Sequence, residues 1–260
     1  MDFKVINYFL DKRTHLLDYP EIEKLAKKEK PKLIICGYTA YPRKIDFKRF
    51  SQIAKKAGAY LLADIAHIAG LIVAGVHPSP FPWADVVMTT THKTLRGPRG
   101  AMIICRKELE EKIFLKVFPG LQGGPHLHTI AAIGVALKEA MNPVFKKYGR
   151  QIVRNAKMLS EELKKYGFNL VSNGTDNHLV LVDLTDKGIL GKEAQTLLEK
   201  AGIVANKNTV HYDQRKPFDP SGIRFGTPAI TTRGFKEKEC KKVAELRITV
   251  LKNKDDKKIK

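Results

Sequence analysis

The sequence predicts an α/β protein, on three observations. Short apolar runs of strand length, such as Leu33-Ile34-Ile35-Cys36 and Tyr60-Leu61-Leu62-Ala63, alternate with stretches of helical character. The order strand, helix, strand, helix, strand is that of a mostly parallel sheet, whose ligands bind off the carboxyl ends of the strands. Polar residues fall at those ends: Thr39, Asp64 and Lys93.

The elements follow in order. Residues 3–19 start in apolar, strand-like sequence with no cap or entry loop. Asp18-Tyr19-Pro20 opens a helix, with Asp18 as cap and the proline early, and Pro31 ends it. Residues 32–36 form a buried strand that closes at Gly37-Tyr38-Thr39-Ala40-Tyr41-Pro42, and residues 47–58 form a helix. Residues 59–64 make a strand that ends on the Asp64 carboxylate, and Val86-Val87-Met88 makes another that runs through three threonines to His92-Lys93 and a Gly-Pro turn. Residues 101–105 are a further strand and 107–118 a helix, before a glycine-rich loop at 119–125. Residues 129–166 are helical with a break at Asn142-Pro143, as a connector to a second domain would be. From 167 onward strand (178–183), helix (192–201) and strand alternate in a small α/β domain, with a Lys/Asp tail from Lys252 expected to fray. The expected division is 1–128 for a larger domain and 129–260 for the connecting helix and smaller domain.

Composition narrows the class. With 43% hydrophobic residues in 260, the chain can bury a sizeable core. No apolar run approaches the ~20 residues of a membrane span, and the N-terminus lacks a signal-peptide pattern, so a cytoplasmic protein is expected. Cys36, Cys105 and Cys240 form no C-x-x-C pair and suggest neither disulfides nor zinc. The formal charge of +20 raises nucleic acid as a partner, but the lysines lie on helix-like faces and no nucleic-acid motif accompanies them. A solvated basic surface is favoured, with an anionic partner left open.

Lys93 is the residue that suggests chemistry. A lysine at a strand end among β-branched neighbours is placed to lose hydration, which favours the neutral amine that attacks aldehydes. On position alone a solvated loop lysine is the commoner case. Asp64 changes the balance, because a carboxylate at the next strand end can hold a pyridinium nitrogen protonated; otherwise Asp64 is a helix cap. Arg224, alone on the apolar strand of Ser221-Gly222-Ile223-Arg224-Phe225-Gly226, suits a carboxylate ligand or an internal ion pair. Gly123-Gly124 could offer backbone N–H groups to an anion, or simply turn the chain. His126 and His128 lack a third metal ligand in the sequence, so no metal site is expected.

The motifs Ala40-Tyr41-Pro42-Arg43, Asp64-Ile65-Ala66-His67-Ile68-Ala69-Gly70-Leu71, Thr89-Thr90-Thr91-His92-Lys93-Thr94-Leu95-Arg96-Gly97-Pro98-Arg99-Gly100, Gly123-Gly124-Pro125, Thr175-Asp176-Asn177-His178 and Ser221-Gly222-Ile223-Arg224-Phe225-Gly226-Thr227-Pro228-Ala229 resemble those of serine hydroxymethyltransferases over nearly the whole chain. The resemblance implies a pyridoxal-phosphate enzyme of fold type I, with part of its large domain and its small C-terminal domain present. It implies that Lys93 carries the cofactor as a Schiff base, Asp64 pairs with the pyridine nitrogen and His67 hydrogen-bonds the phenolic oxygen. His92 would contact the phosphate and Thr90 would assist exchange of the lysine for the substrate amine. Arg224 would grip the amino-acid carboxylate and Arg99 support the pocket. Gly123 and Gly124 would meet the phosphate of a neighbouring subunit's cofactor, and Thr39 stands where the family usually has a cofactor-contacting serine. The implied reaction converts serine and tetrahydrofolate to glycine and 5,10-methylenetetrahydrofolate in a homodimer or tetramer, with part of the positive charge serving a polyglutamate tail.

The same resemblance implies an absence. Family members carry an N-terminal part of the large domain that supplies further phosphate, ring-stacking and folate contacts, and it has no counterpart here; the last helices of the small domain are also expected to stop early. An open sheet edge and an uncovered apolar face are therefore expected, with activity dependent on a separately supplied N-terminal half. A folate-independent aldolase of β-hydroxy amino acids and an inactive basic remnant are the alternatives; the lysine motif and the Gly-Thr-Pro-Ala motif oppose the first, and intact Lys93, Asp64, His67 and Arg224 the second.

Overall fold

The structure, a computed structural model, describes residues 3–252; most of the Lys/Asp tail lies outside the described residues. The chain forms two compact units, one of residues 19–39 and 45–149, the other of 3–18, 40–44 and the residues from 150 onward.

In the first unit, α1 (Tyr19–Glu29) turns Ile22 and Ala26 inward and ends in Lys27 and Lys28, where basic side chains oppose the helix dipole. The Asp46 carboxylate caps α2 (Phe47–Ala57) by accepting the Arg49 N–H at 2.9 Å, and Gly58 closes it in the left-handed conformation. This helix packs Phe47, Phe50, Ile53 and Ala54 into the core. The strands β1 (Leu33–Cys36), β2 (Tyr60–Asp64) and β3 (Val86–Thr90) pair in parallel, and β4 (Ala101–Cys105) adds antiparallel beside β3, giving the order β1-β2-β3-β4. The short helix α3 (Ala69–Val73) follows β2.

Alternate residues divide this sheet into unequal faces. Ile34, Cys36, Leu61, Ala63 and Val87 are buried, whereas Leu33, Ile35 and Tyr60 on the opposite face are 44%, 53% and 55% exposed. Parallel strands are ordinarily covered on both faces. By alternation and register, the face with these exposed residues is the one on which half-buried Leu62, Asp64, Met88 and Thr90 stand.

The single helix expected over 107–118 is broken. A 3₁₀ turn at Lys107–Leu109 leads into α4 (Glu110–Leu115), and Phe118 leaves helical geometry with φ −134° and ψ 125°. Pro119 is the reason: the residue before a proline is driven toward extended backbone. Next come α5 (Leu127–Ala140) and α6 (Pro143–Lys165), separated at the expected break, where Asn142 Oδ1 accepts the Val144 N–H at 2.9 Å and proline occupies the first helical position.

The second unit holds an antiparallel sheet of order β5-β6-β8-β7, made of β5 (Asn169–Leu170), β6 (Leu179–Asp183), β7 (Asn206–Asn208) and β8 (Gly222–Gly226). The helices α7 (Gly191–Lys200), α8 (Pro228–Thr232) and α9 (Glu237–Lys252) complete it, over a core that includes Leu163, Phe168, Val180, Val182, Leu198, Ile223, Phe225 and Ile248. In residues 3–18 the strand-like pattern yields one bridge, Leu10 with Leu17, around a turn in which Asp11 Oδ1 accepts the Thr14 N–H and hydroxyl, both at 2.6 Å. His211 Nε2 and the Tyr212 hydroxyl both reach the Leu10 carbonyl at 3.0 Å and hold that segment within the unit. Among the described residues no helix is long and apolar enough to cross a membrane.

Candidate active site

Lys93 stands just past the end of β3, half-buried, in a loop that is closed on itself. Thr91 makes the closure: its N–H donates to the Gly100 carbonyl at 3.0 Å, its hydroxyl to the Pro98 carbonyl at 2.6 Å, and its own carbonyl accepts the Gly97 N–H at 2.8 Å. The Arg96 N–H donates to the Lys93 carbonyl at 3.0 Å, with Arg96 at φ +64° and its guanidinium 4.8 Å from the centre of the Tyr148 ring. The backbone under the amine is thus fixed. Lys93 Nζ itself donates to Thr90 Oγ1 at 3.3 Å, its one partner among the described residues.

The β2 end meets this loop through two threonines. Thr90 Oγ1 lies 3.4 Å from the Ala66 carbonyl, and the Ala66 N–H donates to Asp64 Oδ1 at 2.9 Å. Asp64 therefore makes a local turn with Ala66 and does not cap α3, whose cap position is Ile68. Its Oδ2 has no hydrogen-bond partner among the described residues and is not sealed from solvent, so the carboxylate keeps one oxygen for a ligand. Buried Thr94 joins the lysine loop to the residues after Asp64: its hydroxyl donates to the His67 carbonyl at 3.1 Å and accepts the Gly70 N–H at 3.0 Å. Gly70 permits that approach, since a Cβ there would lie 2.1 Å from the Thr94 carbonyl oxygen. Gly37, at φ +133°, does the same for β1, because a Cβ would meet the Asp64 carbonyl oxygen at 1.9 Å.

Asp64, His67, Thr90, His92 and Lys93 are thus brought together at neighbouring strand ends of one unit. His92 contributes a second ligand-seeking atom, for its Nδ1 is buried without a hydrogen-bond partner, and such an atom is costly unless something pairs with it. Thr39 and Arg99 belong to the same unit and are exposed. Gly123 and Gly124 are exposed too, in a loop where a Cβ at either position would meet nothing within 4 Å, and Gly124 has φ +58°. Arg224 stands in the other unit, at the centre of β8, where its Nε donates to Asn206 Oδ1 at 3.0 Å; burial lowers its pKa from the usual guanidinium value. Sequence reasoning passed over Thr91, Thr94 and Gly37, whose partners are backbone atoms that no local pattern reveals.

The serine hydroxymethyltransferase family model matches residues 1–247. This chain belongs to the serine hydroxymethyltransferase family. It is also 57% identical over 258 residues to the curated serine hydroxymethyltransferase of Methanosarcina barkeri (strain Fusaro / DSM 804), an alignment that covers 99% of this chain and 63% of that protein. The chain thus spans under two thirds of its relative's length. Family membership agrees with the α/β fold, with its mostly parallel sheet carrying the lysine loop.

The residues present fit pyridoxal phosphate as far as this unit reaches. A primary amine, a carboxylate oxygen open to a ring nitrogen, and an unpaired buried imidazole nitrogen are the donors and acceptors that an aldehyde, a pyridine and a phosphate would require.

Proposed function

We propose that this chain is the lysine-bearing part of an enzyme that converts serine and tetrahydrofolate to glycine and 5,10-methylenetetrahydrofolate. The observation that carries the reading is the cluster at the β2 and β3 ends, with Lys93 Nζ on Thr90 Oγ1 and one oxygen of Asp64 left open. When bound, pyridoxal phosphate supplies the electron sink for breaking the bond between Cα and the hydroxymethyl carbon of serine.

The chain's own residues divide the remaining tasks. Lys93 offers the amine that holds the cofactor, and Thr90 orients that amine and helps it give way to the substrate. The Asp64 carboxylate keeps a ring nitrogen protonated by placing negative charge beside it. His67 donates to the cofactor's phenolic oxygen, and Thr39 adds a hydroxyl. His92 Nδ1 and the backbone N–H groups of Gly123 and Gly124 serve phosphate oxygens, the glycines in a neighbouring copy. Arg224 takes the amino-acid carboxylate, supported by Arg99. Tetrahydrofolate accepts the one-carbon unit, and the +20 charge favours a polyanionic tail on it.

The assembly we propose is a cytoplasmic homodimer or tetramer in which a segment corresponding to the part of the relative outside the alignment covers the exposed sheet face. The test is to mix the purified chain with pyridoxal phosphate and that segment, reduce with borohydride and locate the cofactor by mass spectrometry, with Lys93→Ala as control. Labelling at Lys93 together with folate-dependent formation of glycine is expected. Serine cleavage that ignores folate would sink the transferase reading.

A further inference from the structure

Thr91 and Thr94 tie down the loop that carries Lys93, and the turn that begins at the lysine ends at Arg96. Arg96 closes that turn by donating its N–H to the Lys93 carbonyl at 3.0 Å, and it does so at φ +64°. A long side chain rarely occupies the left-handed region, and such a residue persists where its surroundings over-determine it. The Arg96 guanidinium rests over the Tyr148 ring, with its central carbon 4.8 Å from the ring centre. That ring is itself braced. Buried Phe145 meets it at a steep angle, with ring centroids 5.7 Å apart. The next residue, Gly149, lets the start of α6 lie against the end of α3, since a Cβ there would come within 2.3 Å of the Ala74 Cβ.

We propose that Arg96 is a positioning residue for Lys93: resting on Tyr148, it holds the backbone turn from which the lysine amine projects. A cation over an aromatic face is attracted by the ring quadrupole, and the planar guanidinium suits that face. The contact therefore offsets the cost of the left-handed backbone and pins the turn to α6. If the turn needed only that backbone conformation, glycine would serve better than arginine. This inference rests on the reading of Lys93 as the residue that carries the cofactor.

The test compares Arg96→Gly, Tyr148→Leu, the two combined, and Tyr148→Phe, each in the full chain. One readout is hydrogen exchange of the residue 96 amide by NMR. The other is the rate at which borohydride traps pyridoxal phosphate on Lys93, read by mass spectrometry with the complementing segment of a family member supplied and Lys93→Ala as blank. Arg96→Gly and Tyr148→Leu should each speed the exchange and slow the labelling about threefold, the size of an exposed cation–π contact. The double variant should do no more than either single one. Tyr148→Phe, which keeps the ring without its hydroxyl, should match the parent chain. Arg96→Gly should also keep the parent's urea midpoint, because the relaxed backbone offsets the lost contact, and a variant that is merely damaged would not. Labelling of Arg96→Gly at the parent's rate overturns the inference, as does Tyr148→Phe labelling as slowly as Tyr148→Leu. No label on Lys93 in the parent chain, or equal label in Lys93→Ala, overturns the reading of Lys93 instead. The exchange rates, which need no cofactor, tell the two failures apart.

Discussion

Thr94 shows how much of the candidate site is set by single side chains that bond to backbone groups. It is buried, and its hydroxyl both donates to the His67 carbonyl and accepts the Gly70 N–H, so the lysine loop and the residues after Asp64 move as one piece. Thr94→Val keeps the shape and strands both backbone groups, for an expected destabilisation of about 1–3 kcal/mol. A urea midpoint unchanged from the parent chain would show that the bridge contributes nothing. His211 provides a second residue-scale check. Burial lowers its pKa from the usual histidine value, partly countered by its bond to the Leu10 carbonyl, and His15 lowers it further. The unfolded chain then takes up a proton at higher pH than the folded chain does, so stability should fall as pH drops below about 6.5 and level off once the folded-state histidine has also protonated. His211→Gln should flatten that part of the stability profile. Lys93, Asp64 and Arg224 were legible in the sequence because each is a polar residue at the end of, or within, an apolar run. Thr94 and Gly37 were not, because their roles depend on partners distant in sequence.

The strands of the first unit were readable for a physical reason: three or four consecutive apolar residues bounded by polar or turn residues have few other uses. The short polar β7 escaped, since Asn206-Lys207-Asn208 carries no periodic signal and pairs only because β8 offers it an edge. The helix expected over 107–118 ends where it was expected to, at Phe118 before Pro119, but only 110–115 of it is regular α-helix, since the pattern does not register the 3₁₀ turn that precedes α4. Helix α9 carries an anomaly of its own. Arg247 is 4% exposed, its Nε and Nη1 have no hydrogen-bond partner, and burial pushes its guanidinium down to about 10. Its partial compensation is a position 4.1 Å over the Phe225 ring, worth about 2 kcal/mol at a desolvated site. Leaving buried donors unpaired costs more than that, so Arg247→Met should stabilise the chain by about 1–3 kcal/mol in chemical denaturation. A lower midpoint would mean that the ring contact and packing of Arg247 outweigh its unpaired donors.

Across the whole molecule, the exposed face of the parallel sheet and the lysine site are parts of one problem. Asp64 and Thr90 stand on the face where Leu33, Ile35 and Tyr60 are exposed, so whatever covers the apolar residues would also border the candidate lysine site. Periodicity alone could not reveal this, because an apolar run reads the same whether one face or both are covered; the resemblance supplied the expectation. Exposed apolar surface of this kind favours association, and the chain by itself should aggregate or bind cofactor weakly. Reductive trapping of pyridoxal phosphate tests this most directly, performed on the chain alone and with the N-terminal segment of a family member supplied alongside. The structure predicts efficient labelling at Lys93 in the mixture and little in the chain alone. Labelling spread over other lysines in the mixture, with Lys93 unmodified, would contradict the assignment of the site.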